Sequence, residues 1–443
     1  MKEVDIVIKN GTILTMDPHQ TIIKRGFLCI RGADISAIAN GEPHQVRARK
    51  TIDAKGGLIL PGLINGHTHA AMTLFRGLAD DLPLMEWLNH YIFPVESRMD
   101  RDFVRTGTLL ACAEMILGGT TTFCDMYLFE DEVAQAAQEA GMRCLVGEVL
   151  YDFPSPNYGP VEEGLKYTEF LIRKWQGHPL VSIAVEPHAV YTCSPDLLAA
   201  ANGLATQYGL PLIMHVAESA TEIEEVKNRY GKRPFEHLES LGLLGPRFIA
   251  HHCVHVDEAE IRRMAIHDVK ATTNPESNMK LASGISPVPL LLAHGITVGL
   301  GTDGCASNNN LDLFEEMDTA AKVHKVAAMD PTVLDAFSVF KMATLSGAKA
   351  LGMEDRIGSL EVGKKADVII VDTHQPHLTP MYNPYSHLVY AAKGSDVSHS
   401  LINGKLVMED RKLLTLDLQE VLRKAREMSR KVLSWLSPPP LSS

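Results

Sequence analysis

Between residues 57 and 355, eight short apolar segments alternate with helical segments, and this alternation restricts the possible folds more than any other feature. Apolar strands separated by helices are typical of βα units, in which successive strands lie parallel. Eight such units in roughly 300 residues predict an α/β fold, a (β/α)8 barrel of the TIM type lengthened by insertions. Intervening helices are predicted, for example, at 130–140 and 195–208. The eight predicted strands cover residues 57–64, 119–126, 143–150, 181–188, 211–216, 248–252, 270–274 and 297–303.

Both ends of the chain have a different pattern, in which short strand-like runs are separated by turn residues. Lys9-Asn10-Gly11 is a hairpin-type signal, and Asn403-Gly404 separates two strand-like runs near the C-terminus. We therefore expect a small β-sandwich domain built from both chain termini; the alternative is two unrelated terminal hairpins. An amphipathic helix is predicted from residue 417 to 436. The expected domain limits are 1–56 and 356–415 for the two parts of the sandwich, 57–355 for the barrel, and 416–443 for the C-terminal helix and tail.

The composition argues against several classes of protein. A net charge of −12 disfavours a nucleic-acid partner, because binding phosphates requires a basic surface. The seven cysteines are scattered and contain no Cys-x-x-Cys pair, so neither a disulfide framework nor a cysteine zinc site is expected. The N-terminus has charges at Glu3 and Asp5 and lacks an apolar signal-peptide core, and no run of about 18 apolar residues occurs. We therefore expect a cytoplasmic protein with no membrane partner.

Two histidines separated by one residue follow the first predicted barrel strand. His67 and His69 come directly after the apolar segment that ends in Pro61-Gly62. On a strand that runs into a loop, residues i and i+2 point the same way, so both imidazoles can converge on one ion. Neutral imidazole is the commonest protein ligand for zinc-like metals. This pair therefore indicates a candidate metal site, although surface histidine pairs also occur by chance.

More histidines and acids follow other predicted strands. In a barrel of this type, the chemistry gathers where the strands' C-terminal ends meet the following loops. Each residue alone has an ordinary alternative as a hydrogen-bonded structural imidazole or, for Asp303, as a turn residue. Their recurrence at the same predicted rim favours one shared site. These residues are His188 after strand four, His215 and Glu218 after strand five, His251 and His252 after strand six, and Asp303 after strand eight.

Several motifs together resemble the amidohydrolase superfamily, and within it the 5-methylthioadenosine/S-adenosylhomocysteine deaminases and related adenosine and chloro-triazine hydrolases. The likeness extends over nearly the whole chain. It implies a hydrolytic enzyme that converts adenine nucleosides to their inosine counterparts with release of ammonia. The implied substrates are 5-methylthioadenosine, S-adenosylhomocysteine, adenosine and 5'-deoxyadenosine. The motifs are PGLINGHTH (61–69), HVAE (215–218), AHHCVH (250–255), GTDG (301–304) and IGSLEVGKKADVIIVD (357–372).

The resemblance implies a set of metal ligands, namely His67, His69, His215 and Asp303. Three imidazoles and one carboxylate leave a coordination position for water, as catalytic zinc sites do. Superfamily members with two metals carry a bridging lysine at the end of strand four, and the segment 185–188 here has none. We therefore expect one Zn²⁺ per subunit, with iron or manganese as less favoured alternatives.

The resemblance also assigns catalytic roles to three residues. Glu218 corresponds to the proton shuttle, His252 to the histidine that polarises the attacking water, and Asp303 to a ligand that also accepts a proton. Glu218 and Asp303 would therefore both lie against the substrate. Because Glu218 is three residues past His215, a continuing strand would turn it to the opposite face. The chain must bend after His215 for this assignment to hold. Without the resemblance, Glu218 would equally suit an exposed acid at the start of an acidic run.

Substrate-binding residues are implied in the same way. Glu96 corresponds to the residue that accepts hydrogen bonds from both ribose hydroxyls, and a carboxylate has two oxygens suited to a vicinal diol. His188 corresponds to a residue that touches the nucleoside. Trp87 and Leu281 are candidates for the wall of the pocket, with core packing as the alternative for each.

One position departs from the family pattern. Some members carry arginine just after strand three, where it binds the carboxylate tail of S-adenosylhomocysteine. The matching residue here is Glu148, and residues 150–161 contain no Arg or Lys. A carboxylate tail would therefore meet no cationic fork. We expect 5-methylthioadenosine, adenosine or 5'-deoxyadenosine to be better substrates than S-adenosylhomocysteine.

Two alternative functions are considered. The first is related chemistry at the same metal, namely guanine or cytosine deamination or chloro-triazine hydrolysis, against which Glu96 argues. The second is a non-catalytic barrel scaffold, which the retention of all the expected ligands disfavours. The zinc signature of cytidine deaminases, with its Pro-Cys-x-x-Cys element, is absent. By analogy with the family, a homo-oligomer of two or four subunits is expected.

Overall fold

The computed structural model describes residues 2–82, 86 and 88–436; the predicted pocket residue Trp87 and the tail 437–443 lie outside these. Strands and helices alternate through the middle of the chain, and the strands there pair in parallel, so the α/β class is confirmed. The strands are β1 Lys2–Leu14, β2 Ile22–Arg31, β3 Asp34–Asn40, β4 Val46–Asp53, β5 Leu58–Pro61, β6 Leu63–Thr68, β7 Thr120–Tyr127, β8 Arg143–Leu150, β9 Val181–Ile183, β10 Glu186–Pro187, β11 Leu212–Val216, β12 Phe248–His252, β13 Lys270–Thr273, β14 Val298–Leu300, β15 Val368–Val371, β16 Val397–Ile402, β17 Lys405–Glu409 and β18 Lys412–Leu413.

The helices of the described residues lie mainly between these strands, and those predicted at 130–140 and 195–208 are confirmed. The α-helices are α1 Phe93–Glu96, α2 Arg101–Leu117, α3 Glu130–Ala140, α4 Val161–Trp175, α5 Pro195–Tyr208, α6 Ala220–Tyr230, α7 Pro234–Ser240, α8 Glu258–Ile266, α9 Pro275–Lys280, α10 Val288–Ala293, α11 Leu313–Ala328, α12 Ala336–Met342, α13 Leu345–Ala350, α14 Pro384–Tyr390 and α15 Leu418–Leu436.

Strands from both chain termini form one nine-stranded sheet. Its order is β18-β17-β16-β15-β5-β1-β2-β3, with β4 parallel to the first half of β1. Strand β5 joins the two ends of the chain, since it pairs with β1 on one side and with β15 on the other. Two unrelated terminal hairpins are therefore ruled out.

The two predicted Asn-Gly turns have different outcomes. Asn403 and Gly404 both have positive φ and connect β16 to β17, as predicted. Asn10-Gly11 does not reverse the chain; β1 continues through it with a shift of register against β2. Asn10 has a positive φ, and its side-chain amide donates to Asp53. Asn10-Gly11 therefore forms a bulge instead of a hairpin turn.

Two parallel sheets form the middle of the chain. One contains β6, β7, β8, β9 and β10, and the other has the order β11-β12-β13-β14. The predicted strand at 57–64 is in fact two strands, because β5 belongs to the terminal sheet and β6 begins after Gly62. A Cβ at Gly62 would lie 2.1 Å from Thr121 Oγ1, so this residue permits the close passage between the sheets.

Hydrogen bonds connect the two parallel sheets at both edges. On one side, the carbonyl of His67 on β6 accepts from the amides of Thr302 and Asp303 after β14, at 3.1 and 3.0 Å. On the other side, the amides of Ile213 and His215 on β11 donate to Val185 and His188, both at 3.0 Å. The C-terminal ends of β6 and β14 therefore lie side by side, and so do those of β10 and β11.

Helix α15 lies within the predicted range 417–436, and Asp417 caps its first turn. Asp417 Oδ1 accepts from the amides of Gln419 and Glu420, at 3.0 and 3.2 Å. The helix contributes Val421, Ala425 and other apolar residues to the main core, so its apolar face is buried. None of the helices in the described residues combines the length and apolar character that crossing a bilayer requires.

Candidate active site

The side chains predicted at the strand ends converge on one centre. His69 Nε2 lies 3.2 Å from Asp303 Oδ1, and His67 Nε2 lies 3.4 Å from the same oxygen. His67 also belongs to a second group with His215 and His252. Within each group the possible ligand atoms lie within 4.8 Å of one another. The structure therefore brings all four predicted metal ligands together and places His252 beside them.

Hydrogen bonds fix the orientation of two imidazoles. His69 Nδ1 lies 2.5 Å from the carbonyl oxygen of Met126, and His215 Nδ1 lies 3.0 Å from that of His188. A carbonyl only accepts, so each Nδ1 carries a proton, and Nε2 is the nitrogen of each ring that can bind a metal. Metal-binding histidines commonly use this arrangement.

The ring of His67 gives a direct test of fit to a metal. This side chain is fully buried, and neither of its ring nitrogens has a hydrogen-bond partner among the described residues. Buried polar atoms are seldom left without a partner. A cation held by this cluster would give one of these nitrogens a partner, and a donor set of three imidazoles and one carboxylate suits Zn²⁺. The cluster thus fits a metal cofactor.

The charges of the cluster support the same conclusion. Burial lowers the pKa of His67 to about 3, so this imidazole is neutral. Burial also opposes the charged form of His69, but the hydrogen bond and charge of Asp303 raise the pKa of His69 to about 9. The two imidazoles in turn hold the pKa of Asp303 well below its usual range despite burial. The buried carboxylate of Asp303 thus lies beside the positive charge of His69, a charge that a divalent cation would supply in its place.

Two hydroxyl groups hold the Asp303 carboxylate. Ser277 and Ser307 donate to its Oδ2 at 2.6 and 3.1 Å, and the amide of Gly304 donates to Oδ1 at 2.8 Å. Asp303 itself has a φ of 60°, in the left-handed region. Sequence reasoning missed both serines. The available signal was their position, because Ser277 follows the seventh predicted strand and Ser307 lies four residues after Asp303.

The bend required after His215 is present. Ala217 has a φ of 56°, a conformation that non-glycine residues seldom adopt, and it turns Glu218 toward His252. The distance from Glu218 Oε2 to His252 Nε2 is 4.0 Å. The carboxylate of Glu222 stabilises the bend, because it accepts from the amides of Ala217 and Glu218 at 2.9 and 2.8 Å.

Glu222 was not recognised from the sequence. It stands in the acidic run after Glu218, which suggested an exposed helix face. In the structure its side chain is buried, and burial raises its pKa to about 7 although the two amide hydrogen bonds oppose this shift.

The neighbouring histidines His251 and His252 have different surroundings. His252 has a φ of 68°, and its Nδ1 lies 2.9 Å from Asn278 Oδ1, which leaves Nε2 facing Glu218. His251 stacks on His67 with 3.8 Å between ring centroids and contributes no atom to either group of possible ligands. The structure therefore places His252, the residue chosen from the sequence, at the cluster.

The predicted substrate-binding residues border the same centre. Glu96 is partly buried, and its Oε1 accepts from the hydroxyl of Tyr127 at 2.7 Å. Burial raises the pKa of Glu96, against the effects of this hydrogen bond and of the charge on His69. The ring of His188 lies 5.0 Å from that of His215, and burial lowers the pKa of His188 to about 4.

Glu148 points into the protein. Its two oxygens accept from the amide of Glu130 at 2.9 Å and from the side chain of Asn157 at 2.8 Å. Burial raises the pKa of Glu148 to about 7. Glu148 thus connects the segment after β8 to the start of α3.

A model of the amidohydrolase family matches residues 58–407. The 5-methylthioadenosine/S-adenosylhomocysteine deaminase of Syntrophobacter fumaroxidans is 58% identical over 430 residues, 97% of this chain and 98% of that relative. The 5'-deoxyadenosine deaminase of Methanosarcina mazei is 46% identical over 432 residues, 97% of this chain and 99% of that relative. The crystal structure of a zinc-bound adenosine deaminase from Xanthomonas campestris matches with a TM-score of 0.96 and 38% identity, covering 98% of this chain and 99% of that one. The chain therefore belongs to the amidohydrolase family.

Proposed function

We propose that this protein is a metal-dependent hydrolase that deaminates adenine nucleosides and releases ammonia. The observation that carries the proposal is the convergence of His67, His69, His215 and Asp303, with Glu218 turned toward His252. The names of the relatives support the same reaction, since they are deaminases of 5-methylthioadenosine, S-adenosylhomocysteine, 5'-deoxyadenosine and adenosine.

The metal we infer is one Zn²⁺ per subunit, held by His67, His69, His215 and Asp303. The donor set and the zinc-bound structural relative support this choice. When bound at such a site, the ion lowers the pKa of a water ligand from about 15.7 toward 7 and so provides a nucleophile at neutral pH.

The protein's own residues move the protons. Attack of water at C6 of adenine places negative charge on the ring, so N1 must receive a proton and the amine must leave as ammonia. We assign the proton transfers at the ring to Glu218, whose carboxyl group faces the centre from the bend at Ala217. Glu218 gives its proton to N1, takes up the proton of the new C6 hydroxyl group as the carbonyl forms, and passes that proton to the leaving amine. His252 holds the attacking water through Nε2, because its Nδ1 is occupied by Asn278. Asp303 accepts the first proton that the water loses, and this proton returns through solvent to Glu218 after the products leave.

Recognition of the sugar is assigned to Glu96 and His188. The Glu96 carboxylate offers two acceptor oxygens to the ribose diol, which favours a nucleoside over a free base. His188 is neutral at pH 7, since burial lowers its pKa to about 4, and its ring lies beside His215. A neutral imidazole there suits an uncharged nucleoside.

Among adenine nucleosides, we propose that 5-methylthioadenosine, adenosine or 5'-deoxyadenosine is preferred to S-adenosylhomocysteine. Glu148 stands where some family members carry arginine, and its carboxylate is occupied by Glu130 and Asn157. A substrate carboxylate would gain no ion pair from this position. Comparing kcat/KM for the four nucleosides tests this preference, and a clear advantage for S-adenosylhomocysteine would overturn it.

The function itself is tested with the Glu218→Gln variant. Glutamine keeps the size of the side chain but cannot donate a carboxyl proton, so we expect kcat for adenosine to fall at least about 100-fold. Zinc content, measured by atomic absorption, should stay near that of the unmodified protein because Glu218 is not among the proposed ligands. A panel that includes guanine, cytosine and a chloro-triazine separates the related chemistries. A scaffold without catalytic activity would convert none of these compounds.

We further propose that the two parallel sheets close into a (β/α)8 barrel. The hydrogen bonds at both edges, at His67 and at His188, support closure. We also propose that the nine-stranded sheet folds over on itself as a sandwich. Ile35 on β3 and Leu401 on β16 lie far apart in the strand order yet belong to one buried apolar cluster. We propose the domain limits 1–56, 57–355, 356–415 and 416–443, with the start of the barrel moved to residue 62 because β5 belongs to the terminal sheet.

We propose that the protein works in the cytoplasm. All seven cysteines lie in the described residues and are free and buried, which supports a reducing cytoplasm. The partner we propose is a small nucleoside, and assembly into two or four subunits rests on family analogy alone.

A further inference from the structure

A tyrosine at the end of β7 contacts the carboxylate that we assign to the ribose. The hydroxyl of Tyr127 donates to Glu96 Oε1 at 2.7 Å and also lies 3.5 Å from the sulfur of Met99. Only 5% of Tyr127 is exposed. Sequence reasoning gave this residue no role.

We propose that Tyr127 is a positioning residue for substrate recognition, which holds the Glu96 carboxylate in the orientation that accepts the ribose hydroxyls. This inference rests on the proposed function. Tyr127 acts through Glu96 and needs no contact with the reacting atoms.

The position of Glu96 in the fold explains why it needs a support. Glu96 is the last residue of a helical segment that runs from a π-helical turn, Leu88–Ile92, into α1, so no following helical turn packs against its side chain. A glutamate loses considerable rotamer freedom when it is fixed. A buried tyrosine has only two side-chain torsions and is already ordered by packing. Its hydrogen bond to an ionised oxygen is therefore an effective way to hold the carboxylate.

The last residues of β7 contact both the proposed metal site and the proposed ribose-binding carboxylate. Asp125 accepts from the amide of Ala70 at 2.5 Å, the carbonyl of Met126 orients His69 at 2.5 Å, and Tyr127 orients Glu96. Three consecutive residues of one strand thus set the distance between a proposed metal ligand and the proposed ribose acceptor. Moving Glu96 would misplace the ribose without changing the reacting centre.

The experiment compares adenosine with 2',3'-dideoxyadenosine, which lacks both hydroxyls, in the Tyr127→Phe variant of the whole protein. We expect KM for adenosine to rise about tenfold, as loss of one aligned hydrogen bond predicts, with kcat within about twofold of the unmodified value. KM for dideoxyadenosine, or its Ki where turnover is slow, should not change. Tyr158→Phe is the matched control, because this tyrosine donates to the carbonyl of Val149 at 3.0 Å and does not contact Glu96.

A double-mutant cycle with Glu96→Ala provides the second measurement. If Tyr127 acts through Glu96, adding Tyr127→Phe to Glu96→Ala should raise KM for adenosine no further. Equal KM changes for both nucleosides, unchanged KM for adenosine, or additive changes in the cycle would each overturn the inference. Failure of the unmodified protein to deaminate adenosine would instead reject the proposed function, so the two failures are distinguishable.

Discussion

Single side chains in this site depend on partners that are invisible in local sequence. Glu218 faces the centre only because the chain bends at Ala217, and the buried carboxylate of Glu222 accepts both amides of that bend. Glu222 is thus as necessary to the geometry as Glu218, although it contacts no substrate.

The Glu222→Gln variant tests this dependence. A carboxamide offers one acceptor oxygen where the carboxylate offers two, so the bend should loosen and kcat should fall about tenfold, as for loss of one charge-assisted hydrogen bond. Glu225→Gln, in the same acidic run on α6, is the control and should leave kcat unchanged.

The same variant gives a pH prediction. Burial raises the pKa of Glu222 from 4.5 to about 7, and the negative charge of Glu218 adds to this shift. The two amide hydrogen bonds and the charge of His252 oppose it. The folded protein therefore binds this proton more tightly than the unfolded chain, and this group lowers the free energy of unfolding as pH rises from about 4.5 to about 7. Urea denaturation should show the stability of Glu222→Gln relative to the unmodified protein rising across this window and levelling above it. A pH-independent difference would contradict the assignment.

The convergence of the histidines and Asp303 was predictable because they follow apolar strands whose C-terminal ends meet at one edge. The choice of His67, His69 and His215 as the proposed ligand histidines came from the family resemblance. The supporting residues were not predictable. Ser277 and Ser307 become partners of Asp303 only when β13 and β14 lie side by side, and Tyr127 meets Glu96 across 31 residues of chain. Local pattern contains no information on such contacts.

At the scale of elements, the positions of helices followed from sequence better than the limits of strands. Helix α3 ends where predicted because Gly141 takes a left-handed conformation, with a φ of 76°, that terminates the helix. The segment 57–64 was misread as one strand because apolar residues lie on both sides of Pro61-Gly62, although this pair marks the boundary between β5 and β6. Asn10-Gly11 was misread because a bulge and a hairpin turn require the same residues.

The close contact between β6 and the residues that follow β14 can be tested with a glycine substitution. A Cβ at Gly301 would lie 2.7 Å from the amide nitrogen and 2.9 Å from the carbonyl oxygen of His67. Gly301→Ala should push the strands apart, destabilise the fold by about 1–3 kcal/mol and reduce zinc content. Gly299→Ala is the matched control, because Gly299 lies on β14, two residues before Gly301, and its Cβ would meet the nearest atom at 3.4 Å. Normal zinc content and stability in Gly301→Ala would mean that the contact between Gly301 and His67 does not position the site.

At the scale of the whole molecule, one buried ion pair joins the parallel sheets to the terminal sheet. Arg143 at the start of β8 donates to both oxygens of Asp367, at 2.8 and 3.0 Å, and both side chains are at most 3% exposed. Asp367 also accepts from the amide of Asn403 at 2.6 Å. The sequence motif that contains Asp367 suggested family membership but gave no indication of this role.

Removing one partner should leave an uncompensated buried charge. We expect Arg143→Met to lower the free energy of unfolding by about 3–5 kcal/mol, and Arg143→Met combined with Asp367→Asn to recover part of that loss. Chemical denaturation measures both. Equal stability of the single and double variants would contradict this account of the junction.

The central claim, that a metal held by this cluster is required for deamination, is tested most directly by removing it. The purified protein is treated with a chelator, and adenosine conversion is followed by ultraviolet absorbance before and after Zn²⁺ is restored. We predict that activity falls to background when the metal is removed and returns when about one equivalent of Zn²⁺ per chain is added. Undiminished deamination by protein shown to contain no metal would contradict the account.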